Sequence, residues 1–108
     1  MQTYQTNFIQ QGQQAYLISG TVDFLTVPGL MQQAMALLSK KNPSTPNTFT
    51  VDMSQVTVCN SAGLALMFEL VSEARKNNIE LQFENMPDSL QTIAKAYGIE
   101  KEIRDFNR

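Results

Sequence analysis

Along the chain the spacing of hydrophobic and polar positions changes several times, and each change marks an element. The clearest stretch is Ile79 to Glu84, where Ile79, Leu81 and Phe83 alternate with Glu80, Gln82 and Glu84. A period of two predicts a strand with one face buried. Upstream, Leu64, Met67, Phe68, Val71 and Ala74 keep helical spacing, and the run closes on Arg75-Lys76, cations where a helix C-terminus favours them. This predicts a helix from Ser61 to Asn77. Downstream, Met86-Pro87-Asp88 opens another helix, in which Leu90, Ile93, Ala94 and Tyr97 share a face until Gly98 stops it. Ile99, Ile103 and Phe106 predict a short terminal helix.

The first half is less regular. Thr3 to Ile9 alternates roughly, Gln10 to Gln13 gives a turn, and Ala15 to Ile18 reads as a more buried strand ending at Ser19-Gly20, together a hairpin. Thr26 before Val27-Pro28 resembles a helix start with Thr at the cap. Leu30, Ala34, Leu37 and Leu38 carry that helix to Lys40-Lys41. Two prolines make residues 42–47 a loop. Thr48 to Met53 is a strand, and Val56, Thr57 and Val58 continue its β character up to Asn60-Ser61. The order β-β-α-β-α-β-α, with a short last helix, predicts an α/β sandwich over residues 1–108. Its sheet is mixed and mostly parallel, with helices packed on it. No internal repeat or linker divides the 108 residues.

Composition then narrows the function. Hydrophobic residues make up 43%, enough for a core, and charged residues 17%, below the roughly 25% of an ordinary domain. The net charge of -2 argues against a nucleic-acid partner. The absence of His excludes a Ser-His-Asp or Cys-His relay and a His-containing zinc site. A single Cys, Cys59, excludes an internal disulfide and a CxxC pair, so no metal and no cofactor are expected. No apolar run approaches the ~20 residues of a membrane span. These features predict a cytoplasmic chain that is not an enzyme.

Three stretches resemble the STAS domain, the fold of bacterial anti-sigma factor antagonists and of some transporter subunits. The first is Ser19-Gly20-Thr21-Val22-Asp23 with Thr26-Val27-Pro28. The second, and the specific one, is Val51-Asp52-Met53-Ser54 through Asn60-Ser61-Ala62-Gly63-Leu64. The third is Lys76-Asn77-Asn78 into Ile79-Glu80-Leu81. Within the family the run Asn60 to Leu66 is most similar to the branch serving as a small subunit of a phospholipid-transporting ABC system. Asn60 stands where that branch has an acid, and Ser61 where it keeps a threonine.

The resemblance implies a regulatory or assembly subunit that binds the transporter's ATPase. It would lie on the inner face of the inner membrane through the permease–ATPase complex, without inserting into the bilayer. The alternative is an anti-sigma factor antagonist controlled by serine phosphorylation. Ala62 stands where those antagonists carry the phosphorylated serine, which favours the first reading and leaves neighbouring Ser61 as the phospho-acceptor in the second.

The expected partner-binding residues are Asn60, Ser61 and Ala62 at the start of the helix, with Leu66, Met67 and Leu70 along it. Asn60 or Ser61 is at minimum an N-cap, and a hydroxyl there can also meet a partner. Leu66 and Leu70 widen the apolar arc of the helix to roughly 200°, about twice the stripe a surface helix needs. Either a neighbouring helix buries the flanks, or Leu66, with Leu70 or Met67, is an exposed patch for a partner. Gly63 is expected to allow close helix–sheet packing, and Asp23 to cap a turn. Asp52 is expected at a strand end with no catalytic mate.

Overall fold

The computed structural model of the protein describes residues 6–38 and 48–106. The elements follow in the order β1 (Asn7–Gln10), β2 (Ala15–Val22), α1 (Val27–Leu38), β3 (Thr48–Cys59), α2 (Ala62–Lys76), β4 (Glu80–Glu84), α3 (Asp88–Ala96) and α4 (Glu100–Phe106). Residues 3–5, Lys40-Lys41 and the loop 42–47 of the sequence reading lie outside the described residues. The strands form one sheet in the order β1-β2-β3-β4. The hairpin β1–β2 is antiparallel, with Phe8 opposite Ile18, whereas β2–β3 and β3–β4 are parallel. The mixed, mostly parallel α/β fold is as the pattern of the sequence predicts.

One face of the sheet carries the core. Phe8, Tyr16, Ile18, Phe49, Val51, Met53, Leu81 and Phe83 are buried with the inward residues of the helices in a single cluster. The alternate strand residues, among them Leu17, Thr50, Asp52 and Gln82, are only half-buried and form an open face. A sheet with one layer of helices is thin, and the molecule measures 19 Å in its shortest dimension. α2 lies in the middle of the helical layer, between α1 and α3. It therefore needs a wide apolar arc, since sheet and both neighbours cover it.

Two irregularities shape the C-terminal end of the sheet. Between Leu17 and Ser19, and again between Gly20 and Thr21, β3 carries one residue more than β2. These bulges replace period two with period three: Met53, Val56 and Cys59 face inward while Ser54-Gln55 and Thr57-Val58 are exposed. Gly20, at φ 94°, takes the left-handed backbone at the second shift. At α2, an added Cβ at Gly63 would overlap the Cys59 sulfur and lie 3.2 Å from Leu90 Cδ1. The helix can approach β3 this closely only with glycine there, as expected.

Candidate functional site

The residues singled out at the start of α2 come together at the C-terminal ends of β2 and β3. These ends are fixed side by side: Val22 pairs with Cys59, and the Asn60 N–H donates to the Val22 carbonyl at 3.2 Å. Asn60 performs the capping. Its Oδ1 accepts from the Ala62 N–H at 2.9 Å, and its carbonyl accepts from Gly63 at 2.9 Å. Ser61 already has helical dihedrals, φ -61° and ψ -19°, and its side chain makes no capping bond. The residue is half-exposed. The Ala62 methyl is buried at 2% exposure.

The other three expected contact residues are elsewhere. Leu66, Met67 and Leu70 have no exposed surface and belong to the core. The expectation of an exposed patch on them is corrected, because the sheet beneath α2 and the helices on both sides cover the whole arc. A side chain without accessible surface meets no partner while the domain stays folded.

Across from Asn60, the chain leaving β2 makes a hydrogen-bonded turn. The Asp23 carboxylate accepts from the N–H groups of Leu25 (2.9 Å) and Thr26 (3.0 Å). In return the Thr26 hydroxyl accepts from the Asp23 N–H at 2.9 Å. This reciprocal arrangement has the logic of a capping box, and the Asp23 carbonyl accepts from Val27 at 3.0 Å as in a helix. Asp23 thus caps the wound turn that precedes α1, and the Thr26 carbonyl accepts from Leu30 at 3.1 Å at the helix start, where the sequence places the cap. The role of Asp23 as a turn cap is as expected.

The winding has a consequence for the side chains between. Phe24 is 70% exposed and Leu25 91%. Val58, whose register partner is Thr21 at the end of β2, is 59% exposed because the second bulge turns it outward. The sequence reading did not single out these three residues. For Phe24-Leu25 a signal existed: two large apolar residues in a short turn between a capping acid and a helix, outside any period. Val58 had none, since Val56-Thr57-Val58 reads as regular alternation.

The titratable groups nearby are unremarkable chemically. Burial pushes the Cys59 thiol up to about 11, so it is protonated and weakly nucleophilic at neutral pH. Asp52 lies inside β3, not at a strand end. Burial alone would raise its pKa, but hydrogen bonds from Asn85 and Ser54 outweigh that and hold the carboxyl below its ordinary value. Among the described residues, no three His, Cys, Asp or Glu side chains gather as a metal site would require. No helix among them is long and apolar enough to cross a membrane.

Comparison with known proteins adds kinship to this geometry. Residues 9–105 match the family model described as "Mlab, STAS domain". The chain is 30% identical over 87 residues to the intermembrane phospholipid transport system binding protein MlaB of Escherichia coli K12, covering 77% of this chain and 88% of that protein. The MlaB of Shigella flexneri matches equally. Among solved structures, the anti-sigma factor antagonist SpoIIAA in its unphosphorylated form superposes at a TM-score of 0.69. It is 10% identical, over 96% of this chain and 86% of that one. An anti-sigma factor antagonist from Mycobacterium paratuberculosis superposes at 0.66, with 19% identity over 93% and 82% of the two chains.

Proposed function

The chain belongs to the STAS-domain family, and we propose that it is a non-enzymatic subunit binding the ATPase of an ABC transporter that moves phospholipids between inner and outer membranes. The observation that carries this reading is the surface at the ends of β2 and β3. There the Asn60 N–H bonded to the Val22 carbonyl ties the half-exposed Ser61 to the strand end that leads into the exposed Phe24 and Leu25, and Val58, in register with Thr21, is exposed as well. Such a surface suits burial against another protein. Likeness to MlaB, an intermembrane phospholipid transport system binding protein, supports a place in such a system, and the ATPase as partner is what the resemblance of the Asn60 to Leu66 run implies. Asn60 and Ser61 are the contact residues retained from the sequence reading, with Ala62 holding the helix start beneath them.

The mechanism is binding without chemistry. A subunit that docks only on the folded, assembled ATPase stabilises that state by mass action. The chain would then reside on the inner face of the inner membrane through its complex. The second reading is an anti-sigma factor antagonist switched by phosphorylation, and the fold of SpoIIAA favours it. Against it stands Ala62, a buried methyl where the resemblance puts the phosphorylated serine.

The test is co-purification with a tagged ABC ATPase of a phospholipid-transport system from the same organism, followed by assay of the isolated chain for phosphate release from ATP. The expected result is a stable complex and no turnover by the chain alone. Failure to co-purify, together with capture by a kinase-like anti-sigma factor, overturns the reading.

A further inference from the structure

The Asp23–Thr26 turn is built to hold two apolar side chains away from the protein. Its four hydrogen bonds between Asp23 and the Leu25–Thr26 segment lock the backbone, while Phe24 and Leu25 remain largely exposed. A rigid apolar display loses little conformational entropy on binding, which is how anchor residues of interfaces act.

The chemistry of the matching surface follows from charge. Between residues 6 and 38 the sole charged residue is Asp23, and its carboxylate is turned onto the N–H groups of its own turn. Asn60 and Ser61, across from the turn, are neutral. The β2 side of this end therefore offers apolar surface and no free charge to a partner, while on the far side of β3 the exposed Asp88 opens α3, where Ser89 donates to the Cys59 carbonyl at 3.4 Å.

We propose that Phe24 and Leu25, flanked by Val58, are the anchor of the subunit contact and enter an apolar, uncharged concavity on the ATPase, with Asp23 as the positioning residue. This rests on the reading of the chain as an ATPase-binding subunit. A protein occupant is favoured over a bilayer because interfacial segments carry Lys and Arg beside their apolar residues. Here Arg75 and Lys76 sit at the last turn of α2 and Lys95 at that of α3, whereas the turn lies beside the first residues of α2. An apolar contact also makes a distinct demand: affinity must be nearly independent of salt, since Phe24 and Leu25 carry no charge to screen.

The experiment measures the affinity of the purified full chain for the purified ATPase at low and high salt. Phe24→Ser/Leu25→Ser is expected to weaken binding by about a hundredfold with an unchanged cooperative melt. Asp23→Ala should weaken it by roughly tenfold, and Asp23→Asn, which can accept the same hydrogen bonds, should restore it. Wild-type affinity should stay within about twofold across the salt range.

Equal binding by the double variant overturns the anchor while leaving the subunit reading intact. A steep salt dependence overturns the uncharged concavity. No wild-type binding to the ATPase overturns both. Sedimentation of the wild type, but not the double variant, with phosphatidylglycerol–phosphatidylethanolamine vesicles in that case assigns the turn to the bilayer instead.

Discussion

Two apolar regions of this domain have opposite fates. The middle of α2 presents an arc of Leu64, Leu66, Met67, Leu70 and Val71, and every one of these side chains is buried. The turn before α1 presents only Phe24 and Leu25, and both are exposed. Apolar width on a helix therefore reports how many neighbours cover it, and α2 has the sheet and two helices. Exposure arises where the backbone is fixed by something other than apolar packing. In the turn that is the Asp23–Thr26 hydrogen bonding, and at Val58 it is a bulge.

The largest expected effect breaks this comparison directly. Leu66→Glu places an unpaired carboxylate at a position with no exposed surface, at a cost of about 4 kcal/mol or more, against a total stability of roughly 5–15 kcal/mol. Leu25→Glu adds the same charge at a site 91% exposed and is expected to change stability by less than about 0.5 kcal/mol. Thermal melts of the pair decide it. If Leu66→Glu melts cooperatively near the wild-type temperature, α2 is not central to the core, and the arc returns as a candidate contact surface.

A smaller effect is expected where α2 meets β3. Gly63→Ala gains about 1 kcal/mol in helix propensity, but its methyl would overlap the Cys59 sulfur. Overpacking costs typically ~1–3 kcal/mol, so net destabilisation is expected in urea unfolding. The same change made in a Cys59→Ala background should cost at least about 0.5 kcal/mol less, the coupling of residues in contact. An additive double mutant would mean that the helix can shift away from the strand at no expense.

The sequence carried most of the architecture but only part of the site. β4 and α3 were legible because Ile79, Leu81 and Phe83, and Leu90 and Ala94, obey one period each and face one core. The parallel order of β2, β3 and β4 followed from alternation of strands and helices. In β3 the sequence misleads beyond Met53, since two extra residues relative to β2 are a property of the pairing and not of one strand. The same limit hid Val58. Asp23 and Thr26 are each recognisable as a cap, but their reciprocal bonding depends on the winding of the turn between them, which neither residue alone discloses. Leu66 was misread because one helix alone does not disclose its neighbours.

The smallest expected effect tests the border between scaffold and contact surface, at two adjacent residues. Asn60 accepts the Ala62 N–H, so Asn60→Ala leaves an orphan donor at the start of α2 and should cost about 1 kcal/mol. Ser61 makes no side-chain capping bond, so Ser61→Ala should move the unfolding midpoint by no more than about 0.5 kcal/mol. Ser61 is half-exposed, next in sequence to Asn60, which bonds the end of β2, and the loss should fall on association with the ATPase. Losing a neutral hydrogen bond weakens affinity by roughly 3- to 10-fold, less than removal of Phe24 and Leu25. The two measurements, urea midpoint and affinity, should thus separate across one peptide bond. If Ser61→Ala lowers stability as much as Asn60→Ala and leaves binding untouched, Ser61 belongs to the scaffold, and the partner meets only the apolar turn and Val58.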